Sequence, residues 1–184
     1  MTECFDLPIL NWIQEHLRCG FLDGVMPVVT SLGDAGILWI VLVVALLCKP
    51  KCRRVGLQMG AALLMGLLVC NLTLKPLVAR IRPYDYVAEH MGLTVHLLVD
   101  AQHDFSFPSG HTIASFESAT VLMLHNRKWG IGALILASLI AFSRLYLYVH
   151  YPTDVLMSVV LGVGIGLLAR WLVDKFVPKN PLVL

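Results

Sequence analysis

Charged residues are scarce in this sequence, and that scarcity narrows the class of protein. Only 14% of the 184 residues are charged, whereas 58% are hydrophobic. Soluble globular domains typically carry about 25% charged residues. The composition therefore excludes an ordinary soluble domain and predicts an integral membrane protein, for which no nucleic-acid partner is expected.

The sequence also lacks the pattern of a disulfide framework and that of a cleaved export signal. The five cysteines are too few and too scattered for a disulfide framework, so we predict free thiols. The first residues, MTECFDLPIL, lack the basic region of a cleaved export signal, and the segment is expected to stay attached. Within residues 1–24, Leu10, Ile13 and Leu17 recur at helical spacing, which predicts a short helix lying in the membrane interface or, equally well, packed on the bundle.

Apolar runs of the length needed to cross a bilayer, about 17 to 25 residues, occur repeatedly. The predicted spans are residues 26–48, 55–74, 107–124, 131–149 and 155–173. We therefore predict an all-α fold, an integral membrane helix bundle of about five transmembrane helices plus an N-terminal interfacial helix, in a single domain over residues 1–184. Two glycine pairs, Gly56 with Gly60 and Gly162 with Gly166, predict close approach of helices.

One connection is far longer than the others. It runs over residues 75–110, whereas helices of a bundle are usually joined by about 2 to 8 residues. Counting spans places both ends of this loop on the same membrane face as the link between the fourth and fifth spans, SRLYLYVHYPTD. Charges near bilayer depth are costly, so their convergence predicts a reaction site or pathway for a polyanionic partner.

Three cations in these segments suit a phosphate group. Lys75, Arg82 and Arg144 can hold a phosphoryl group and neutralise its equatorial oxygens, because guanidinium groups match phosphate oxygens bidentately. Each of them alone would more readily be an interface anchor. In PSGH, Ser109 can cap the next helix, and backbone N–H groups near Gly110 can point at an anion placed before it.

Two histidines and an aspartate supply the remaining chemistry. His111 can give a proton to a leaving group. Pro152 cannot continue a helix through His150, so the fifth span should begin at Pro152 and carry Asp154 in its first turn, facing back toward His150. A carboxylate that accepts the Nδ1 proton leaves Nε2 of His150 as a nucleophile able to form a phosphohistidine.

These residues also carry a resemblance to a known family. KPLVARIRP reads Lys, six residues, Arg-Pro; PSGH stands as such; SRLYLYVHYPTD reads Ser-Arg, five residues, His, three residues, Asp. Their order and spacing resemble the type-2 phosphatidic acid phosphatase family of membrane lipid phosphatases, in its short bacterial-like form. The resemblance implies no metal or other cofactor, and it implies roles for eight residues: Lys75, Arg82, Ser109, Gly110 and Arg144 around the phosphate, His111 as acid, His150 as nucleophile and Asp154 as its orienter.

The predicted function is hydrolysis of a lipid phosphate or pyrophosphate through a phosphohistidine. Undecaprenyl pyrophosphate, phosphatidylglycerophosphate and phosphatidic acid all remain open as substrates. A transporter or channel with a phosphate-binding site would not explain the His and Asp, and vanadate-dependent haloperoxidases, the other alternative, are soluble. A metal-dependent phosphatase would need clustered acids, whereas among the 12 Asp and Glu only Asp154 is predicted at the site.

Other polar residues receive weaker interpretations. His90, His96 and His103 are irregularly spaced in the long loop, which predicts solvated side chains rather than metal ligands. Glu117 lies inside the third span, where it is expected to be neutral, paired within the bundle or facing a wet cavity, and it is not assigned to catalysis.

The distribution of basic residues predicts the orientation. Nine of the 14 Lys and Arg lie on the face opposite the site, so a multi-pass cell-membrane protein is predicted with an extracytoplasmic long loop and active site and a cytoplasmic C-terminus. The nine are Lys49, Lys51, Arg53, Arg54, Arg127, Lys128, Arg170, Lys175 and Lys179. The sequence does not indicate an oligomeric state.

Overall fold

The computed structural model describes residues 2–178, and Lys179 with the rest of the C-terminal tail lies outside them. All regular elements in this range are helical, which confirms the predicted all-α class. The α-helices are α1 (Leu7–His16), α2 (Gly20–Ser31), α3 (Ile37–Cys48), α4 (Arg53–Leu67), α5 (Lys75–Val78), α6 (Pro83–Met91), α7 (Gly110–His125), α8 (Arg127–Tyr146) and α9 (Pro152–Phe176). The predicted long loop, 75–110, therefore contains two helices, α5 and α6.

Not every predicted span is long enough to cross a membrane as a single helix. By length and composition, three stretches of the described chain qualify, Pro50–Met91, Arg127–Tyr146 and Pro152–Phe176, and the bent pair α2 and α3 makes a fourth if counted as one span. The predicted span 107–124 is α7, with 16 residues. At about 1.5 Å per residue it is shorter than the hydrocarbon core of about 30 Å.

The short helix α7 lies at the centre of the bundle, packed against α4, α8 and α9. Close packing with α9 depends on glycine residues, because a Cβ at Gly162 would lie 2.9 Å from the carbonyl oxygen of Ile113. A Cβ at Gly166 would lie 2.8 Å from the carbonyl oxygen of Glu117, and Gly56 of α4 is similarly close to the backbone of α3. These contacts confirm close helix packing at Gly56, Gly162 and Gly166, whereas a Cβ at Gly60 would lie 3.4 Å from Val43, an ordinary contact.

The predicted first span, 26–48, is broken. Its two halves, α2 and α3, are bent by 42° around a 3-10 turn, Asp34–Gly36. Ala35 and Gly36 in this turn have φ of 48° and 66°, a left-handed conformation that glycine adopts without steric cost. The acidic residue Asp34 lies in this break, between two apolar helices.

The N-terminal helix α1 packs against the link that follows α8. Leu7, Leu10 and Ile13 are buried in a hydrophobic cluster with Tyr146, and the side-chain amide of Gln14 donates to the carbonyl oxygen of Tyr146 at 2.8 Å. The apolar face of α1 therefore contacts protein, which corresponds to the packing alternative of the two sequence interpretations.

Candidate active site

A cavity of about 370 Å³ brings together side chains from all three polar segments. Six of the eight residues implied by the family resemblance line it: Lys75, Arg82, Gly110, His111, Arg144 and His150. The other two, Ser109 and Asp154, are fully buried next to lining residues. The three segments therefore meet at one place, as span counting predicts.

The position of His150 follows from the way α8 ends. The helix stops at Tyr146, before the predicted end of that span at residue 149, and Tyr148 adopts a positive φ of 60°. The backbone N–H of His150 then donates to the carbonyl oxygen of Arg144 at 3.3 Å. Because α9 begins at Pro152, as predicted, His150 lies in a short link between two helices.

The two ring nitrogens of His150 have different surroundings. Nε2 lies 3.4 Å from Nη1 of Arg82, and Nδ1 lies 3.7 Å from Oδ2 of Asp154. Burial lowers the pKa of His150 to about 3, since the charges of Arg82 and Arg144 add to the effect of burial and outweigh the opposing effect of Asp154. The imidazole is therefore neutral at pH 7, with Nε2 beside the cations.

Asp154 faces back from the first turn of α9, as its spacing predicts. Its Oδ2 accepts hydrogen bonds from the backbone N–H of Tyr151 at 3.1 Å and from the hydroxyl of Ser106 at 2.5 Å. Its Oδ1 accepts from Nη1 of Arg80 at 2.5 Å. The separation of 3.7 Å from His150 is an ion-dipole contact rather than a hydrogen bond.

Arg80 forms an ion pair with Asp154, although no role in the site was predicted for Arg80 from the sequence. Its guanidinium donates to the hydroxyl of Thr153 at 2.8 Å and to Oδ2 of Asp6 at 2.6 Å, and it lies 3.8 Å above the ring of Tyr151. Asp6 and Asp154 are both fully buried, and a buried carboxylate without a paired charge is strongly unfavourable. Arg80 therefore compensates two buried charges at once.

The three cations predicted to hold phosphate are themselves buried. Lys75, Arg82 and Arg144 are 8%, 2% and 2% exposed. Nη1 of Arg82 donates to the carbonyl oxygen of Val149 at 2.7 Å, and Nη1 of Arg144 donates to the hydroxyl of Thr30 at 2.6 Å. Nε of Arg144 has no hydrogen-bond partner among the described residues. The cations are thus held in place with donor capacity left at the cavity.

Asp104 is a second acid at the cavity, and it corrects the prediction that Asp154 alone among the acids lies with the site. One carboxylate oxygen of Asp104 pairs with Lys75 and the other with Arg82. Burial alone would raise the pKa of Asp104, but hydrogen bonds from these two cations and their charges outweigh it and lower the pKa to about 2. The carboxylate is therefore ionised at neutral pH.

Asp34 is an acid that contacts the cavity-lining residue His111, and it is contributed by the break between α2 and α3. Its Oδ1 lies 2.9 Å from Nε2 of His111, and a Cβ at Gly33 would lie 2.6 Å from the His111 ring. The sequence signal was present, because an acid flanked by Gly33 and Gly36 interrupts the apolar run 26–48. Asp34 therefore places a carboxylate next to His111, the predicted proton donor.

The PSGH segment begins α7 as predicted. Ser109 is the N-cap residue, and its hydroxyl accepts from the backbone N–H of Thr112 at 3.5 Å and from the Thr112 hydroxyl at 3.0 Å. Its own N–H donates to the hydroxyl of Ser158 at 2.8 Å. Gly110 and His111 follow in the first turn, where backbone N–H groups have no partner within a helix.

The remaining predictions concern residues away from the cations. Glu117 lines the cavity and is 1% exposed, which matches the cavity-facing alternative. His90, His96 and His103 are exposed, and no group of three His, Cys, Asp or Glu side chains within residues 2–178 is placed to hold a metal ion. All five cysteines are free thiols, as predicted.

The fold and the site together have the features of a multi-pass membrane phosphatase, and comparison with known proteins identifies the family. Residues 55–178, which include all eight implied site residues, match the PAP2 superfamily, and the chain belongs to it. The undecaprenyl-diphosphatase BcrC of Bacillus subtilis is 32% identical over 162 residues, which cover 88% of this chain and 80% of BcrC. The resemblance inferred from the three motifs is confirmed.

Two solved structures share the fold. The first is the transmembrane PAP2-type phosphatidylglycerolphosphate phosphatase of Bacillus subtilis, with a TM-score of 0.70, 28% identity, and coverage of 89% of this chain and 82% of that one. The second is LpxE of Aquifex aeolicus, with a TM-score of 0.77, 25% identity, and coverage of 90% and 94%. The protein is therefore a membrane-embedded phosphatase of the PAP2 lipid phosphatase family.

Proposed function

We propose that this protein hydrolyses the terminal phosphate of a membrane lipid through a phosphohistidine at His150, with undecaprenyl pyrophosphate as the first candidate substrate. The observation that supports this most strongly is the cavity itself, where the neutral imidazole of His150 lies beside Arg82 and shares the lining with Arg144 and His111. The choice of substrate is supported by the likeness to BcrC, a protein described as an undecaprenyl-diphosphatase.

In the first step, the lone pair on Nε2 of His150 attacks the terminal phosphorus. A P–N bond forms while the P–O bond to the lipid breaks, and the leaving lipid phosphate takes a proton from the imidazolium form of His111, which is paired with Asp34. The proton on Nδ1 of His150 stays in place, and the positive charge that develops on the ring faces Asp154. Lys75 and Arg82 stabilise the charge on the transferred group.

In the second step, water hydrolyses the phosphohistidine. Water attacks phosphorus and gives a proton to His111, which is neutral because it donated its own proton to the leaving group in the first step. The P–N bond breaks, and its electron pair returns to Nε2 of His150. Orthophosphate leaves, and both histidines regain their initial protonation states.

The walls of the cavity favour a lipid substrate. Its lining includes Ile40 of α3 and Leu63 and Leu67 of α4, and Ile40 and Leu67 are exposed on the surface of the bundle. An apolar chain of the substrate would contact these side chains while its phosphate reaches the cations. Phosphatidylglycerophosphate and phosphatidic acid offer the same combination and remain candidates, whereas phosphatase relatives favour hydrolysis over the transport and haloperoxidase alternatives.

We expect the purified protein to release orthophosphate from undecaprenyl pyrophosphate in EDTA as fast as in its absence. The reason is that side chains supply the nucleophile, the acid and the cations, so no divalent ion is required. A phosphate-release assay over undecaprenyl pyrophosphate, phosphatidylglycerophosphate and phosphatidic acid measures this directly. No release from any of the three would contradict the proposed function, and loss of activity in EDTA would contradict the mechanism.

We further propose that the site faces away from the cytoplasm, because the Lys and Arg residues on the opposite face satisfy the positive-inside rule. In cells carrying variants with a single cysteine, a membrane-impermeant maleimide should leave Cys52 unlabelled and should label a cysteine that replaces Asp100. Cys52 lies in the 3-10 turn Pro50–Cys52, and Asp100 is exposed in the long loop. Labelling of both positions after permeabilisation is the control, and the reverse pattern in intact cells would show an inverted topology.

A further inference from the structure

The cations predicted to bind phosphate already hold an anion that belongs to the chain. The carboxylate of Asp104 bridges Lys75 and Arg82, one oxygen to each. A phosphoryl group bound by the same two cations would need the same space. Substrate binding therefore requires Asp104 to leave these cations.

Burial indicates which of the partners can move. The side chains of Lys75 and Arg82 are 11% and 3% exposed, whereas that of Asp104 is 53% exposed. Arg82 is also tied to the backbone, since Nη1 donates to Val149 at 2.7 Å. The exposed carboxylate, rather than the buried cations, is therefore the mobile partner.

The backbone around Asp104 is held more firmly than its side chain. The carbonyl oxygen of Asp104 accepts a hydrogen bond from Nε of Arg82 at 2.9 Å, and the N–H of Ser106 donates to the carbonyl oxygen of Arg80 at 2.8 Å. The hydroxyl of Ser106 is bonded to Asp154. A side-chain rotation of Asp104 clears the cations without any rearrangement of the loop.

We propose that Asp104 acts as an internal competing anion that raises the affinity an external anion needs to occupy the site, so that terminal phosphate groups still bind while the more weakly held phosphodiester headgroups of bulk lipid do not. The proposal rests on the proposed function in one respect, that Lys75 and Arg82 receive the substrate phosphate. A phosphodiester carries one negative charge, like the carboxylate, whereas a terminal phosphate carries about 1.5 to 2 near neutral pH. Phosphodiester lipids of the bilayer surround the site in large excess, so their binding to the cations must be weak if the substrate is to occupy the site.

Competition affects every external anion by the same factor. If the cations are free of Asp104 for only about 1 to 10% of the time, all apparent affinities fall about 10- to 100-fold. A weakly bound phosphodiester then leaves the site empty, while a dianion with two or three bonds to the cations still binds. The ionised state of Asp104, whose pKa is lowered to about 2, keeps this competition in force at physiological pH.

Thermal unfolding of the full-length protein in detergent tests the proposal without any turnover. The midpoint is measured against increasing orthophosphate and, separately, dimethyl phosphate, because a ligand that binds the folded state raises it with concentration. We expect Asp104→Asn to lower the apparent Kd for both anions about tenfold or more. Asp104→Glu should bind them as the wild type does, and Asp100→Asn, which removes the same charge from the same loop, should change neither.

Three outcomes would overturn the proposal. The first is an unchanged Kd in Asp104→Asn, which would mean that the carboxylate does not compete. The second is weaker anion binding in that variant, which would make Asp104 a structural or positioning residue. The third is equal tightening in Asp100→Asn, which would show a general charge effect. None of these depends on hydrolysis, so they are distinguishable from a wild-type protein that cleaves no lipid phosphate.

Discussion

Replacement of His150 by alanine is expected to lower kcat for lipid phosphate hydrolysis by about 10⁴-fold or more. The reason is that His150 is the proposed nucleophile, and its Nε2 lies 3.4 Å from Nη1 of Arg82, where the transferred phosphoryl group is proposed to bind. The remaining cations would still bind substrate. The effect should therefore appear in kcat, measured by orthophosphate release, with a much smaller change in KM.

A matched histidine controls for the substitution itself. His103 is exposed in the long loop, so His103→Ala should retain nearly full activity. Thermal unfolding of both variants shows whether they are folded. A folded His150→Ala protein with more than a few per cent of wild-type kcat would contradict the assignment of the nucleophile.

Replacement of Asp154 by asparagine should give the second largest effect, a loss of about 10²- to 10⁴-fold in kcat. The carboxylate faces Nδ1 of His150, and in the proposed mechanism it would stabilise the positive ring of the phosphohistidine. An asparagine cannot supply that charge. The side-chain NH2 of asparagine would also face a hydrogen-bond donor of Arg80 or Ser106, so one hydrogen bond would be lost. A stability loss of about 1 to 3 kcal/mol is therefore expected as well.

Asp6 allows the two effects of Asp154→Asn to be separated. It is also fully buried and also bonded to Arg80, but it does not contact His150. Asp6→Asn should therefore cost similar stability and reduce kcat less than about tenfold. If the two variants lose equal activity at equal folded fraction, Asp154 acts through the fold and not on His150.

The local geometry of the motifs could be predicted from the sequence because it depends on residues that are close together along the chain. Pro152 begins α9, and this fixes where Asp154 lies relative to His150. Ser109 caps α7 through a bond to Thr112, three residues away. Spacing within a single turn is readable from a sequence without knowledge of tertiary structure.

The acids Asp34 and Asp104 were missed because their partners are distant in sequence. Asp104 meets Lys75 across 29 residues, and Asp34 meets His111 across 77. Spacing rules relate neighbours on one helix and carry no information about such pairs. The same holds for Arg80 and Asp6, which meet across 74 residues where Asp6 also accepts from the backbone N–H of Thr153 in the first turn of α9.

The helix boundaries that were wrong have a common physical cause. Apolar composition marks a segment as membrane-compatible but does not require it to be one straight helix. In the run 26–48, the backbone conformation at Ala35 and Gly36 interrupts an otherwise apolar stretch. In the run 131–149, the chain leaves the helix after Tyr146 although apolar residues continue.

Detection of the phosphoenzyme tests the central claim most directly. Protein mixed with undecaprenyl pyrophosphate labelled in its terminal phosphate, then quenched in base, should carry a label that is stable to base and lost in acid, as expected of a phosphoramidate on an imidazole nitrogen. Peptide mapping should place it on His150, and His150→Ala should carry none. A wild-type protein that turns over substrate and never acquires label, or that carries it on another residue, would contradict the account.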